Sequence, residues 1–413
     1  AKTRALAQTT SVETILLTPV NINQNKQSAM KILRLLTRFA YRSNPSFCSL
    51  ISLRMVQLSL REGLCHETPY SMALFGITCI MNGIIDEDVY RYAKVALSLM
   101  DKIDLDRLDS MKEIPRVYAS TSMVKVFFEP MQAIPEFLDH AHEVGMSRGD
   151  IGLALGARHV SFLISTLAGV KLGPLAEQAR AFRRLLVEYK DATLGPASIP
   201  YQSILNILGH SNDPTVLSGF AIENQEEFFN SLVEKKQQGV LQYYYFFRMW
   251  LAFIFRRMDL AAQMANELGT LMKTLKPEIL AHQTLFLGLV ATEMVHAGGD
   301  AEWRLVALRS KERLDDWAKL CHWNFAHKSR LMAAEVTYKL DGDPRGDARV
   351  TYDEAISLAS KHKFVHEEAV VVSTGEGQPT HEILTRAEIV GGAGAELQLT
   401  AAPGMRGGAV EDG

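Results

Sequence analysis

His362 and His366 stand four residues apart and are followed at once by Glu367 and Glu368. On one helix that spacing would offer a divalent metal two imidazoles with carboxylates beside them. Two features weigh against it. Phe364 falls where one helix should turn into the next, and no glutamate lies between the histidines, where the general base of an HExxH site belongs. The pair therefore reads as hydrogen-bonded or exposed histidines. His322 with His327, and His140 with His142, have no stronger claim.

Asp341, Asp343 and Asp347, with Gly346 at the sixth position, imitate the opening of a calcium loop. The imitation fails at the fifth position, Arg345, and at the twelfth, Tyr352, where calcium needs an oxygen and a bidentate glutamate. A polar turn between helices is the expectation. Asp104, Asp106 and Asp109 fail the same test. No phosphate-cradling GxxxxGK[ST] loop occurs, and Gly169 to Gly173 reads as a loop between helices. Kinase catalytic-loop markers and a GxSxG elbow are missing too. The aromatic run from Tyr243 to Phe255 covers all sides of a helix and should be buried, and Arg256 and Arg257 suit the negative end of that helix. The sequence thus assigns no catalytic, cofactor-binding or metal-binding residue, and calls for no cofactor.

Composition narrows the partners. The chain of 413 residues has 44 basic and 47 acidic side chains, a net charge of −3, so no overall field draws in nucleic acid or an anionic membrane. The most apolar run, Tyr243–Phe255, contains Arg248 and falls short of the roughly 20 residues that cross a bilayer. Four cysteines, at 48, 65, 79 and 321, form no CxxC pair and suit a reducing, cytoplasmic setting. The start at Ala1, without Met or an apolar leader, reads as neither a signal peptide nor a natural beginning. Protein partners remain the expectation, with oligomeric state open.

The elements that would carry these residues are helices throughout. Residues 1–27 are polar and read as a loosely ordered lead-in; the first firm helix is expected at 28–41. From there to Val372, helix-period segments alternate with short Gly, Pro and Asp breakers, and no sustained two-residue alternation appears. Several second helices share an aliphatic-x-x-Ala rhythm: Val89, Tyr92, Ala93, Ala96; Leu260, Ala261, Met264, Ala265; Tyr352, Ala355, Ile356, Ala359. Alanine at such positions lets a neighbouring helix come close. The expected fold is all-α, an alpha solenoid of stacked hairpins whose lengths resemble tetratricopeptide (TPR) units without their signature residues, spanning 28–372. Residues 373–413 hold nine of the 28 glycines and no aromatic residue, which predicts a disordered C-terminal tail.

Four groups of residues, in order, resemble one family. They are Asn44-Pro45-Ser46-Phe47 through Leu58 to Gly63; Leu205 to Pro214 with Leu217-Ser218-Gly219; Trp317 to Cys321 with Asn324-Phe325-Ala326-His327-Lys328; and Tyr352 to Ile356 with Phe364 to Ala369. Together they are similar to the long helical region of multi-domain signalling kinases, across about 27–372. In that family a Ser/Thr-kinase-like domain and an AAA or STAND-type ATPase precede the helical region, and GAF and histidine-kinase domains follow it. None of those catalytic domains lies in this chain, and after Ala369 it departs from the family's pattern. The resemblance implies a non-catalytic scaffold making protein–protein or interdomain contacts in a signalling ATPase/kinase assembly. The alternative is a fragment of an ATP-dependent multi-sensor protein kinase.

Overall fold

The structure, a computed structural model, describes residues 10–376 apart from 22, 44, 103–113, 192, 272–275 and 344–345. Among these the protein is all-α, with 18 α-helices and no strand, only an isolated bridge between Val20 and Leu64. The N-terminal half carries α1 (Val12–Leu17), α2 (Gln24–Ser43), α3 (Pro45–Glu62), α4 (Thr68–Met81), α5 (Glu87–Lys102), α6 (Ile114–Lys125), α7 (Ile134–Ser147), α8 (Ile151–Leu167) and α9 (Leu172–Glu188). There follow α10 (Leu194–Ile207), α11 (Gln225–Glu234), α12 (Gln238–Ile254), α13 (Met258–Leu271), α14 (Pro277–His296), α15 (Ala301–Leu320), α16 (His322–Glu335), α17 (Asp347–Lys361) and α18 (Val365–Glu376).

Neighbours in sequence pack as hairpins: α2 with α3, α4 with α5, α7 with α8, α12 with α13, α14 with α15, α16 with α17. The aliphatic-x-x-Ala faces lie inside these pairs. Val89, Tyr92, Ala93 and Ala96 are buried, as are Ala261, Met264 and Ala265, and Tyr352, Ala355 and Ala359. Alanine removes bulk where two backbones approach, as Gly288 does on α14, where an added Cβ would meet the Met332 and Ser310 side chains at 2.7–2.8 Å. The expected aromatic helix is α12, and it fills the core: Tyr243, Tyr244, Phe246, Phe247, Trp250 and Phe253 are buried.

Helix α14 departs from nearest-neighbour stacking. It meets α4, α6, α8 and α12 as well as α15 and α16, and is enclosed nearly all round. Such enclosure erases amphipathic periodicity and forces its polar residues, His282, Gln283, Thr284 and Thr292, to be buried with their helix.

Leu205 to Gly219 spans the end of α10 and the loop that follows it. Between α10 and α11 the chain has no regular structure, and two buried amides on α10 hold it. Asn206 donates to the carbonyls of Pro214 (3.0 Å) and Val216 (2.7 Å), while Gln202 accepts from the Ala221 amide (2.9 Å) and donates to Asn206 (2.8 Å). Backbone groups left over by the turn are thereby satisfied.

The termini differ in detail from expectation. Within 1–27 lies the short helix α1 with Ile15 buried, and α2 begins at Gln24 rather than 28. At the other end α18 continues to Glu376, past Val372; the glycine-rich stretch 377–413 lies outside the described residues, as do Asp104, Asp106 and Asp109. All four cysteines are buried and none is in a disulfide. No described helix is long and apolar enough to cross a membrane.

His159 on α8 provides a test of the core. It is buried against the Tyr243 ring, 6.2 Å between centroids, and neither ring nitrogen has a hydrogen-bond partner among the described residues. Burial pulls its pKa down to about 4 from 6.5, opposed by the Asp191 carboxylate. Because the unfolded chain then takes up this proton first, stability is lost as pH falls from about 6.5 toward about 4. At pH 5 the loss should be about 2 kcal/mol. His159→Leu should flatten that part of the wild-type profile in urea titrations at pH 7 and 5; identical profiles would show that the ring reaches water.

Candidate functional site

The densest cluster of ionisable groups lies where α14, α16 and α18 meet the end of α8. Helix α16 is the Cys-His-Trp-Asn-Phe-Ala-His-Lys segment and its continuation. Cys321, Phe325, Lys328 and Met332 recur at helical spacing, so Lys328 occupies a core position. The structure splits the expected histidine pair. His362 ends α17 and His366 opens α18, with Phe364 buried in the turn between them. They share no helix and no ligand geometry. His366 instead lies beside Glu367 and His282 of α14, its ring stacked on that of His282 at 6.1 Å.

Glu367 is the centre. Its Oε2 accepts from Lys328 Nζ at 2.7 Å and is in contact with His327 Nε2, while Lys328 also donates to the Asn324 carbonyl at 2.9 Å. The ammonium sits 4.2 Å from the centroid of Phe364, a cation–π contact in a dry setting. Oε1 lies 3.0 Å from His282 Nε2 and 3.8 Å from His366 Nε2, yet makes no hydrogen bond of ordinary geometry. Lys328, Glu367, His282 and His327 are each at most 1% exposed.

These neighbours set the charges. Burial would push the Glu367 carboxyl up, but Lys328 and His327, with the His282 and His327 ring nitrogens close against its oxygens, hold it well below the usual carboxylate range. Burial draws the Lys328 ammonium down, against the pull of Glu367. Burial also lowers His282, His327 to about 4 and His366 to about 3, so all three imidazoles are neutral at neutral pH.

Asn324 ties this cluster to the far half of the chain. Its amide donates to the carbonyls of Val126 (2.9 Å) and Glu129 (2.7 Å) and accepts from the Met131 amide (3.0 Å). Trp323 donates to Gln132, which in turn donates to the Ala168 and His362 carbonyls. The α6–α7 junction is thus pinned to α16 by side chains whose sequence separation hides the connection.

A second buried network has no loose ends of this kind. Glu335 accepts from Tyr352 Oη (2.6 Å), Thr292 Oγ1 (3.1 Å) and Lys339 Nζ (2.6 Å), and Lys339 reaches Glu293 (3.1 Å), which pairs with Arg256 (3.1 Å). Lys339 lies in a π-helical turn, Val336–Leu340, that continues α16.

The remaining sequence candidates lie apart from this cluster. Asp343 accepts from the Asp347 amide (2.8 Å) at the start of α17, and Asp341 pairs with Arg304 on the surface, as a polar turn would. His142 bonds the Ala154 carbonyl through Nδ1 (3.0 Å), and His140 faces Tyr118. His322 is exposed and its ring meets His362 edge-on. A surface cleft of about 790 Å³ between α15, α16 and α17 is lined by Lys311, Asp315, Ala326, Arg330 and Glu354. Four of its charges pair with one another, Lys311 with Asp315 and Arg330 with Glu354; His322 and Asp353 also line it.

No protein-family model, no curated protein and no solved structure matches this chain.

Proposed function

We propose that the protein is a non-catalytic scaffold, a superhelical stack of TPR-like hairpins closed around α14, that binds protein partners or other domains within a signalling ATPase/kinase assembly. One observation carries the binding role. Ile32, Leu35, Leu36 and Phe39 follow one another at helical spacing along α2 and are 46–69% exposed; Phe47 and Leu50 on α3 are equally bare. A continuous apolar stripe of this kind marks a surface that another chain covers. Its occupant is an acidic amphipathic helix: the sequence of α2 holds five basic residues and no acidic one, and although Lys26 and Arg34 pair with Glu62 and Glu67, Lys31 stands exposed beside the stripe, so apolar contact selects a helix and the positive balance its acidity. The kinase setting rests on the resemblance of the sequence blocks alone.

Two measurements test this reading. A fluorescent acidic peptide with leucines at i, i+3, i+4 and i+7 should bind saturably to the full chain. Binding should weaken with salt and be lost in Leu35→Asp/Phe39→Asp. Failure of that peptide, or equal loss to anionic vesicles, would remove the partner. In calorimetry the chain should show no saturable, magnesium-dependent ATP binding, since no glycine loop cradles an anion; micromolar binding would instead favour a piece of an ATP-dependent kinase.

A further inference from the structure

The structure assigns a divalent-cation site to His282 Nε2, His366 Nε2 and Glu367 Oε1, a site for a borderline ion such as zinc that clips α18 to α14.

Three buried ligand atoms from two helices lie within 4.8 Å of one another, and among the described residues none of the three makes a hydrogen bond of ordinary geometry, the nearest approach being the 3.0 Å between His282 Nε2 and Glu367 Oε1. Buried polar atoms are ordinarily paired, and a group of three left unpaired at one point calls for an occupant. The contrast within the molecule is direct. Around Glu335 both carboxylate oxygens are hydrogen-bonded, whereas Glu367 uses only Oε2 and turns Oε1 toward two neutral imidazoles.

Distances and donors fit a tetrahedral ion. Bonds of about 2.0–2.1 Å to nitrogen and oxygen place neighbouring ligand atoms about 3.3 Å apart. Oε1 is 3.0 Å and 3.8 Å from the two Nε2 atoms, close to that figure, and the two Nε2 atoms lie within 4.8 Å of each other, so binding would draw the rings together. Two imidazoles and one carboxylate select a borderline transition ion over calcium or magnesium, which prefer oxygen alone.

The surroundings orient the ligands. An added Cβ at Gly169, whose φ is +84°, would come 2.7 Å from His366 Nδ1, so the bare backbone at the end of α8 packs on that edge of the ring and leaves Nε2 facing Glu367. The Leu167 carbonyl lies against the His282 ring. Lys328 and His327 fasten Oε2 and so fix the carboxylate. The ligands are buried, so with a water as the fourth ligand the ion would act as a structural clip.

Lys328 makes the inference testable beyond simple occupancy. Its positive charge shares the carboxylate and must weaken cation binding; removing it should strengthen binding. The experiment uses the full chain, stripped with chelator and titrated with zinc chloride by calorimetry and elemental analysis, with cobalt(II) as a spectroscopic probe. Expected are a single zinc ion per chain, a chelator-reversible rise in melting temperature, and the visible band of tetrahedral cobalt. His282→Gln and His366→Gln should each weaken binding by roughly 100-fold or more, and Lys328→Met should tighten it by about tenfold or more. Absence of stoichiometric binding, with water then occupying the gap, overturns the assignment. So does binding that survives both histidine substitutions or is indifferent to Lys328→Met. Should the histidine variants not fold, the wild-type stoichiometry, the cobalt band and the Lys328→Met shift decide the matter.

Discussion

Glu367→Gln is expected to cost the chelator-treated protein about 3–5 kcal/mol, measured as the shift in urea unfolding free energy at neutral pH. The substitution keeps the shape of the side chain and removes its charge, leaving the fully buried Lys328 ammonium beside the Asn324 carbonyl, the His327 ring nitrogen and the Phe364 ring, with no opposite charge. The cost is the desolvation of a stranded ion, not the worth of one salt bridge. The double variant Lys328→Met/Glu367→Leu should therefore regain most of the loss, because replacing both members of a buried pair by apolar groups is often neutral or stabilising. A single-substitution cost below about 1 kcal/mol would show that Lys328 turns out to solvent when unpaired. A double variant as unstable as the single one would show that the network, not the ion pair, holds α18 in place.

Much of the fold was legible because helical periodicity survives wherever a helix has one wet face. Tyr352, Ala355 and Ala359 announced the buried face of α17, and the unbroken aromatics of α12 announced a core helix. The site was not legible for the same reason in reverse. His282 lies on α14, which is enclosed on nearly every side, so polar and apolar residues there show no alternation that would single it out. His366 was visible, but sequence spacing paired it with His362 across a helix junction that sends the two rings to different neighbours. One signal was present in the sequence. Lys328 falls in register with Cys321, Phe325 and Met332, and a lysine on a core stripe demands a buried carboxylate. That the carboxylate is Glu367, and that Asn324 anchors the α6–α7 junction, depends on packing between distant segments, which no local pattern encodes.

Ala355→Arg should destabilise the protein by on the order of 3 kcal/mol or more, while Glu354→Arg, one position round the same helix, should cost less than about 1 kcal/mol. Ala355 is fully buried where α17 packs on α16, and an arginine there must either part the helices or strand its charge. Glu354 is half-exposed and loses only a surface ion pair with Arg330, 3.3 Å long. The reach of the damage is the sharper result. In a purely nearest-neighbour stack, loss of hydrogen-exchange protection would stay within α16 to α18. Here α16 carries Asn324, which holds the carbonyls of Val126 and Glu129 and the amide of Met131, so loosening α16 should also deprotect the α6–α7 junction. Deprotection at 126–133 together with the C-terminal helices, while α2 and α3 stay protected, is the expected pattern. Damage confined to α16–α18 would mean that the Asn324 ties carry little energy and that the hairpins behave as a one-dimensional array. Equal costs for the two substitutions would refute the face assigned to α17.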